Sequence, residues 1–337
     1  MKDPQQRRRL GMAGRLATAA LLLLAISAPA SAADDYKGWF GYLDLATTQP
    51  NSLDHHFANF IDYSGPSNVA SRLTLDSDSD ITYRVGVGYS FGDGLGALKV
   101  SYWSFDNDET TTGSLNGYVY PTLFGAGSYY TYGYGMYLSG YPVDFVAGSQ
   151  IKASTIDIDY VRPIAKGEKV TLSWLAGLRS ASWEEDQGFA MTDGGSDYSQ
   201  EKHFESDGLG FRVGAGADFK FTDHFSIMSS MVFSFLQADT EGSSSQSFSI
   251  GSPPDDIKIA DDDNIRGEIR DFDIKAIWSY GHLDYFLGYS VATWDGLVAD
   301  PVPATDAYPG TGAGSRSRDG IAFNSIHGGV KWRFGKR

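Results

Sequence analysis

Most of the chain after residue 36 consists of short segments in which apolar and polar residues alternate strictly. In the segment 80–91, one face carries only apolar side chains, from Ile81 and Tyr83 to Tyr89 and Phe91, while the other carries polar residues and glycine. A period of two is typical of a β-strand with one apolar and one polar face. Because the pattern recurs in nearly every segment and no amphipathic helical stretch interrupts it, we predict an all-β fold: a transmembrane, antiparallel, up-and-down β-barrel with an apolar exterior and a polar lumen.

The alternation predicts ten strands, joined by links that are short and long in turn. The predicted strands are 37–47, 80–91, 97–105, 154–162, 170–179, 208–220, 225–235, 271–280, 283–293 and 325–334. The short links are 92–96, 163–169, 221–224 and 281–282, and the long links are 48–79, 106–153, 180–207, 236–270 and 294–324. Short periplasmic turns and long extracellular loops are typical of bacterial outer-membrane barrels, and an even strand count leaves both termini in the periplasm.

The strand count stays open between 8 and 12. The second long link, 106–153, is rich in glycine and tyrosine. It is compatible with a further hairpin, which would give twelve strands, and equally with a segment that folds inward as a constriction. The sequence does not choose between these two.

The first 32 residues have the pattern of a cleaved signal peptide. Arg7, Arg8 and Arg9 precede an apolar stretch over 16–26, and Ala30-Ser31-Ala32 provides small residues for cleavage. We therefore divide the chain into a signal peptide, 1–32, and an outer-membrane barrel, 33–337. The expected location is the cell outer membrane. The expected partners are outer-membrane lipid and lipopolysaccharide, with periplasmic chaperones and the barrel-assembly machinery during biogenesis.

The composition agrees with a barrel and excludes several other classes. Gly (40), Tyr (20), Phe (20) and Trp (7) are abundant, as expected when only alternate residues meet lipid. The chain has no Cys, so thiol catalysis, disulfides and cysteine metal sites are excluded. A formal net charge of −15 makes nucleic acid an unexpected partner.

Charged residues of both signs fall on the lumen-facing phase of the predicted strands. The pore-lining candidates among them are Arg84, Lys99, Asp157, Asp159, Arg179, Arg212, Asp218 and Lys275, and Asp271, Asp273, Asp284, Lys331 and Arg333 share the same phase. Two interpretations remain open and are compatible with each other. The charges neutralise one another to stabilise the barrel, or Arg84, Arg179 and Arg212 form with Asp157 and Asp159 a constriction that sets ion preference.

Two further residue types bear on the lumen and the membrane surface. Glycines on the inward phase reduce side-chain filling and favour a narrow pore; they are Gly86, Gly88, Gly177, Gly210, Gly214, Gly216 and Gly288. Tryptophans near strand ends are interpreted as membrane-interface anchors; they are Trp39, Trp103, Trp174, Trp278, Trp294 and Trp332.

No catalytic centre is predicted. The chain has 6 His, and none stands in an outward-facing Ser–His pattern of the kind that an outer-membrane phospholipase needs. We therefore expect no enzymatic activity, no cofactor and no metal site.

Several barrel motifs together resemble a known family. They are the segments 83–89, 92–94, 102–105, 155–160, 177–179 and 208–212. The chain thereby resembles the pore-forming major outer membrane proteins of the Legionella type, although it lacks the cysteines associated with cross-linking in that family. The resemblance implies an outer-membrane pore for passive diffusion of small hydrophilic solutes or ions. The alternative is a non-conducting structural or adhesion barrel whose long loops recognise surfaces.

Overall fold

The computed structural model describes residues 36–51, 54–62, 69–76, 78–92, 94–121, 142–192, 197–249, 257–298 and 320–334. The strands are β1 (Lys37–Asn51), β2 (Asp54–Asp62), β3 (Val69–Asp76), β4 (Asp80–Phe91), β5 (Ala97–Pro121), β6 (Pro142–Lys166), β7 (Val170–Thr192), β8 (Asp197–Lys220), β9 (Phe225–Ser249), β10 (Ile257–Tyr280), β11 (Leu283–Asp295) and β12 (Ile321–Phe334). The predicted signal peptide, 1–32, lies outside the described residues.

Ten of these strands form a closed antiparallel ring, as the alternation predicts. Around the ring the order is β5, β4, β1, β12, β11, β10, β9, β8, β7 and β6, and pairing between β5 and β6 closes it. The first and last barrel strands, β1 and β12, pair along their length from Trp39 opposite Phe334 to Asn51 opposite Ala322. Closure leaves every strand of the ring with a neighbour on both sides, which satisfies the backbone within a membrane.

The remaining two strands form a hairpin outside the ring. β2 pairs with β3 and with the end of β5, where Ala58 lies opposite Pro121 and Asp62 opposite Gly117. The extra hairpin among the described residues therefore lies in the first long link, 48–79, whereas the sequence analysis considered one in the second link, 106–153. Residues 122–141 of the second link lie outside the described residues.

The four short turns lie at one end of the ring, as predicted. The shortest, Gly281–His282, joins β10 to β11, and Gly281 has a φ of 58°. A two-residue hairpin turn whose twist matches its strands requires positive φ, which glycine adopts without a steric penalty. The end with the short turns is the periplasmic end.

Six neighbouring strands are much longer than predicted. β5 to β10 contain 23 to 25 residues each, whereas β1, β4, β11 and β12 contain 12 to 15. Much of the predicted loops 106–153, 180–207 and 236–270 is therefore strand. We call the part of β5–β10 beyond the membrane the outer wall; it comprises 106–121, 142–153, 181–192, 197–207, 236–249 and 257–269.

An apolar belt surrounds the ring between the short turns and the outer wall. Side chains such as Ile81, Leu209, Leu287 and Ile326 point outward and are more than half exposed to the surroundings. This is the surface expected to meet lipid. None of the described residues belongs to a helix long and apolar enough to cross a membrane.

Candidate functional site: a charged layer beneath an aromatic layer

A cluster of ion pairs fills the lumen at the level of the apolar belt. Asp157 on β6 lies directly opposite Arg179 on β7. The Arg179 guanidinium donates from Nε to Asp157 Oδ1 at 2.6 Å and from Nη2 to Oδ2 at 2.9 Å. Both side chains are almost completely buried. A bidentate, charge-assisted pair of this kind fixes the geometry of both groups.

The cluster extends across the barrel interior through Asp271 on β10. Arg179 Nη1 lies 2.7 Å from Asp271 Oδ2, and Arg212 on β8 bridges Asp157, Asp271 (3.4 Å) and Asp159 (3.4 Å). Lys99 on β5 completes the cluster, with Nζ 3.2 Å from Asp159 Oδ2. We call these six residues, Lys99, Asp157, Asp159, Arg179, Arg212 and Asp271, the main ion cluster. Its three carboxylates balance its three cations, so the charges are mutually compensated.

A second cluster is centred on His327 of β12. Its Nδ1 lies 3.0 Å from Asp44 Oδ2 on β1, and its Nε2 lies 3.3 Å from Asp273 Oδ2 on β10. Lys275 pairs with Asp273, with Nζ 3.1 Å from Oδ1. Because both ring nitrogens face carboxylates, this geometry suits the doubly protonated imidazolium, which donates from both nitrogens.

The structure brings most of the predicted lumen residues together. Lys99, Asp157, Asp159, Arg179 and Arg212 share the main ion cluster, and Lys275 belongs to the His327 cluster. Arg84 is half-buried on β4 and interacts electrostatically with Asp271, Asp44 and Asp157. Asp218 is also half-buried, but it lies nearer the short turns, opposite Thr171 and Met228.

Sequence reasoning did not select two residues of the His327 cluster. Asp44 and His327 are both buried in the lumen. The signal was present in the alternation, since Asp44 has apolar Leu43 and Leu45 as neighbours and His327 follows Ile326. Their contact could not be predicted, because it depends on the pairing of the first barrel strand with the last.

Immediately beyond the charges, toward the outside, aromatic rings meet across the lumen. Trp103 and Phe105 on β5 lie 5.5 and 5.2 Å from Phe323 on β12, and Trp183 on β7 lies 6.2 Å from Trp294 on β11. Trp294 also contacts Phe323, with ring centroids 5.8 Å apart. We call these five residues the aromatic layer. Edge-to-face and tilted contacts at these distances are favourable beyond simple burial.

Two of the tryptophans that the sequence analysis interpreted as membrane-interface anchors belong instead to the aromatic layer. Trp103 and Trp294 are 9% and 1% exposed, so they fill the lumen and do not anchor the barrel at the membrane surface. Trp39, Trp174 and Trp278 are exposed on the outer surface, as an anchor requires. The inward phase of Trp103 follows from that of Lys99, four residues earlier on the same strand.

The space beside several inward-facing glycines is occupied by side chains from neighbouring strands, although the sequence analysis expected it to be empty lumen. A Cβ at Gly86 would collide with the ring of Tyr42, and one at Gly88 with the ring of Phe40. A Cβ at Gly288 would lie 2.6 Å from His327 Nε2. These glycines admit side chains from neighbouring strands. The lumen is therefore filled at these levels, in contrast to the narrow open pore that the glycines alone predicted.

Side chains pack across the lumen at both layers. Trp183 is 0% exposed and Arg179 is 2% exposed, whereas Lys99 and Asp271 in the charged layer remain 29% and 20% exposed. The aromatic layer is therefore the drier of the two. The charged layer presents polar groups to the lumen, whereas the aromatic layer presents none apart from indole N–H groups.

A separate polar group lies inside the outer wall, above the aromatic layer. Glu185 and Lys202 are both buried, Gln187 donates a hydrogen bond to Glu185, and the Tyr198 hydroxyl donates to Gln200 Oε1 at 2.8 Å. Burial lowers the pKa of Lys202 to about 8, although the Glu185 carboxylate opposes this shift. Burial likewise raises the pKa of Glu185.

Histidine–carboxylate pairs also arise where the sequence showed none. On the outer surface of the wall, His203 Nδ1 lies 2.7 Å from Asp186 Oδ1, because the two residues are directly opposite on β8 and β7. Cross-strand pairs of this kind depend on strand register and leave no local sequence motif. Within the described parts of the chain, no group of three or more His, Asp or Glu has the geometry to hold a metal ion.

Comparison with known proteins identifies the family. The family model described as Legionella pneumophila major outer membrane protein precursor matches residues 42–268. The chain belongs to this family. It is accordingly an outer-membrane β-barrel protein, and the predicted location in the outer membrane is confirmed. The matched region includes the main ion cluster except Asp271, and it ends before β11 and β12.

Three solved structures resemble this chain at low sequence identity and low TM-score. The outer membrane protease OmpT from Escherichia coli has a TM-score of 0.43 and 11% identity, with 88% of this chain and 97% of that one covered. The toluene transporter TodX of Pseudomonas putida has a TM-score of 0.26 and 8% identity, covering 88% and 89%. The toluene transporter TbuX of Ralstonia pickettii has a TM-score of 0.25 and 8% identity, covering 89% and 90%. No curated protein sequence matches the chain.

Proposed function

We propose that the protein is a pore for small hydrophilic solutes or ions, and that its closed state is the conformation described above. The observation that carries the proposal is the concentration of charge in the membrane half of the lumen. Filling a barrel with apolar side chains is often no less stable than filling it with buried ion pairs. A barrel that needed only a plug could use apolar residues at every level, as the aromatic layer of this one does.

Opening requires a passage through the level of the aromatic layer. Above and below it the lumen holds polar groups, namely Glu185 and Lys202 on the outer side and the main ion cluster on the inner side. The five rings are the apolar barrier between these polar groups. Hydrophobic constrictions gate other pores by excluding water. We assign the same role to the aromatic layer here.

Within the charged layer, Arg84 is best placed to influence ion preference. Arg179 and Arg212 each contact two or more carboxylates, which compensates their charge locally. Arg84 is half-buried and acts on Asp44, Asp157 and Asp271 at longer range. Arg84→Gln should therefore shift the reversal potential in a salt gradient toward cation preference. The barrel should still fold, because no bidentate pair is broken.

A second candidate function is favoured by the outer wall. Strands that run this far beyond the membrane, with their own buried side chains, form a rigid surface outside the cell. This arrangement supports a non-conducting barrel that recognises other surfaces. Under either proposal the protein has no catalytic activity, and its apolar belt contacts outer-membrane lipid and lipopolysaccharide.

Conductance in planar bilayers separates the two candidates. Refolded wild-type protein should give rare openings, and Trp183→Ala should give frequent ones, because it removes a ring at the centre of the aromatic layer. Trp174→Ala, on the lipid-facing side of the same strand, is the matched control and should leave conductance unchanged. If Trp183→Ala and the double variant with Phe323→Ala fold to heat-modifiable barrels yet never conduct, the pore proposal is wrong and the recognition proposal replaces it.

A further inference from the structure

A short segment after β11 turns into the lumen and joins the aromatic layer. It comprises Gly296, Leu297 and Val298. Gly296 has a φ of 75°, and a Cβ there would lie 2.6 Å from the carbonyl oxygen of Arg266. This left-handed, crowded position suits glycine and redirects the chain inward. As a result Leu297 and Val298 are 1% and 5% exposed.

Leu297 occupies a slot that small residues leave in the barrel wall. A Cβ at Gly267 of β10 would collide with Leu297 Cγ, and a Cβ at Gly208 of β8 would lie 3.4 Å from its Cδ2. On β9, between these two strands, Leu236 and Ala238 face the same space. Two glycines and an alanine on three adjacent strands leave room here for the Leu297 side chain.

The segment differs from the rest of the layer in how it is held. Trp183 lies within two ladders, opposite Ala153 and Ser206, and Phe323 lies opposite Pro50 and Ala292. The backbones that carry both rings are therefore fixed by neighbouring strands on two sides. Gly296 to Val298 follow the end of β11 at Asp295 and belong to none of the strands described. Among the described residues they are held in the lumen by the apolar contacts of Leu297 and Val298, so their backbone is easier to move than that of the strands.

We propose that Gly296–Val298 is a latch that closes the lumen by inserting Leu297 into the slot between Gly208 and Gly267. The proposal rests on the pore function proposed above. When the latch withdraws, the slot becomes the passage through the aromatic layer. The rings on the strands stay in place.

Alanine substitutions at two buried residues of the same apolar cluster test the latch. Leu297→Ala removes the side chain that fills the slot, and Ile151→Ala removes the same number of carbon atoms from strand β6, away from the slot. Loss of the apolar contacts of Leu297 should raise the open probability of Leu297→Ala by about tenfold or more. Ile151→Ala should leave the open probability within about twofold of wild type. Equal effects of the two variants would contradict the proposal.

A cysteine pair provides a reversible test in the same chain. Because the protein has no native Cys, Gly267→Cys with Leu297→Cys introduces the only thiols. A Cβ at Gly267 would touch the Leu297 side chain, so the two positions are direct neighbours across the slot. Oxidation should abolish openings and reduction should restore them. Openings that persist in the fully oxidised protein would overturn the latch. Trp183→Ala distinguishes the failures: if it conducts, only the latch is wrong, and if no variant conducts, the pore function is wrong as well.

Discussion

The membrane half of the barrel and its outer half have opposite polarity. On β6, Ile156 and Ile158 point outward into lipid while Asp157 and Asp159 point inward. Beyond Ala153 the same strand turns its apolar side chains inward and its polar ones outward. The change follows the surroundings, because lipid outside favours apolar outward residues, whereas water outside favours an apolar interior.

The two halves are consequently held together by different interactions. In the membrane half the interior is joined by directional ion pairs, and those of the main ion cluster depend on partners from five strands. In the outer half it is joined by non-directional apolar contacts, which tolerate change better where side chains can repack. Single substitutions should therefore be most damaging in the charged layer, and the predictions below rank the two halves on that basis.

The largest effect is expected for Asp157→Asn in the main ion cluster. This nearly isosteric change leaves Arg179 and Arg212 buried beside a neutral group, which should lower the free energy of unfolding by about 3–5 kcal/mol. Guanidinium unfolding in lipid vesicles measures the loss. Glu184→Gln, which breaks a half-exposed pair with Lys152 on the outer wall, is the control and should cost less than about 1 kcal/mol. Similar losses in both variants would show that the charged layer is not the stabilising element.

A somewhat smaller effect is expected on the outward face of β6. Ile158→Arg places a charge in the apolar belt and should cost about 2–4 kcal/mol and impair assembly. Gln150→Arg introduces the same side chain on the same outward face of β6. It lies eight residues closer to the outer end of the strand, where the outer wall meets water. It should fold normally. The yield of heat-modifiable barrel measures both, and equal yields would mean that the membrane boundary does not lie between these residues.

The alternation of the sequence predicted the ring well because the lipid-facing belt imposes it. Ten strands, their order of short and long connections, and the inward phase of Arg179 and Arg212 all follow from a period of two. The outer wall was missed because its alternation has the reverse phase. Apolar residues occupy the odd positions from Val143 to Ala153 except Ser149, and the even positions from Ile156 to Tyr160. This change of phase marks the membrane surface and could have been read from the sequence.

The site was less predictable than the fold, for a physical reason. Phase shows that a side chain faces the lumen, but the contact of Arg179 with Asp271, three strands away around the ring, depends on tilt and register. The aromatic layer was missed because Trp103 and Trp294 resemble interface anchors in composition and position. Only their phase, shared with the inward residues of the same strands, distinguishes them.

Lys202 in the outer half should make the free energy of unfolding depend on pH. Its pKa of about 8 in the folded protein lies below its ordinary value of 10.5, because burial disfavours the charged form. Between these values the unfolded chain holds a proton that the folded protein has released, so the free energy of unfolding rises with pH, by at most about 3 kcal/mol. Measurements from pH 8 to 9.5 avoid Tyr198, whose pKa burial raises from 10.0. Lys202→Met should abolish the rise; a rise that survives it would assign the effect to another group.

The smallest effect is expected for a histidine–aspartate pair on the protein surface, compared with the buried histidine–aspartate contacts in the lumen. His203 and Asp186 in the outer wall are 39% and 45% exposed, whereas His327 is 3% exposed between Asp44 and Asp273. His203→Gln should change the free energy of unfolding by less than about 1 kcal/mol, because water screens an exposed pair. His327→Gln should cost more, since glutamine cannot supply a charge to two buried carboxylates. The comparison is made at pH 6 and moderate salt by guanidinium unfolding. If His203→Gln proves the more damaging, burial is not what separates the two halves, and the outer wall would have to be held by its surface pairs.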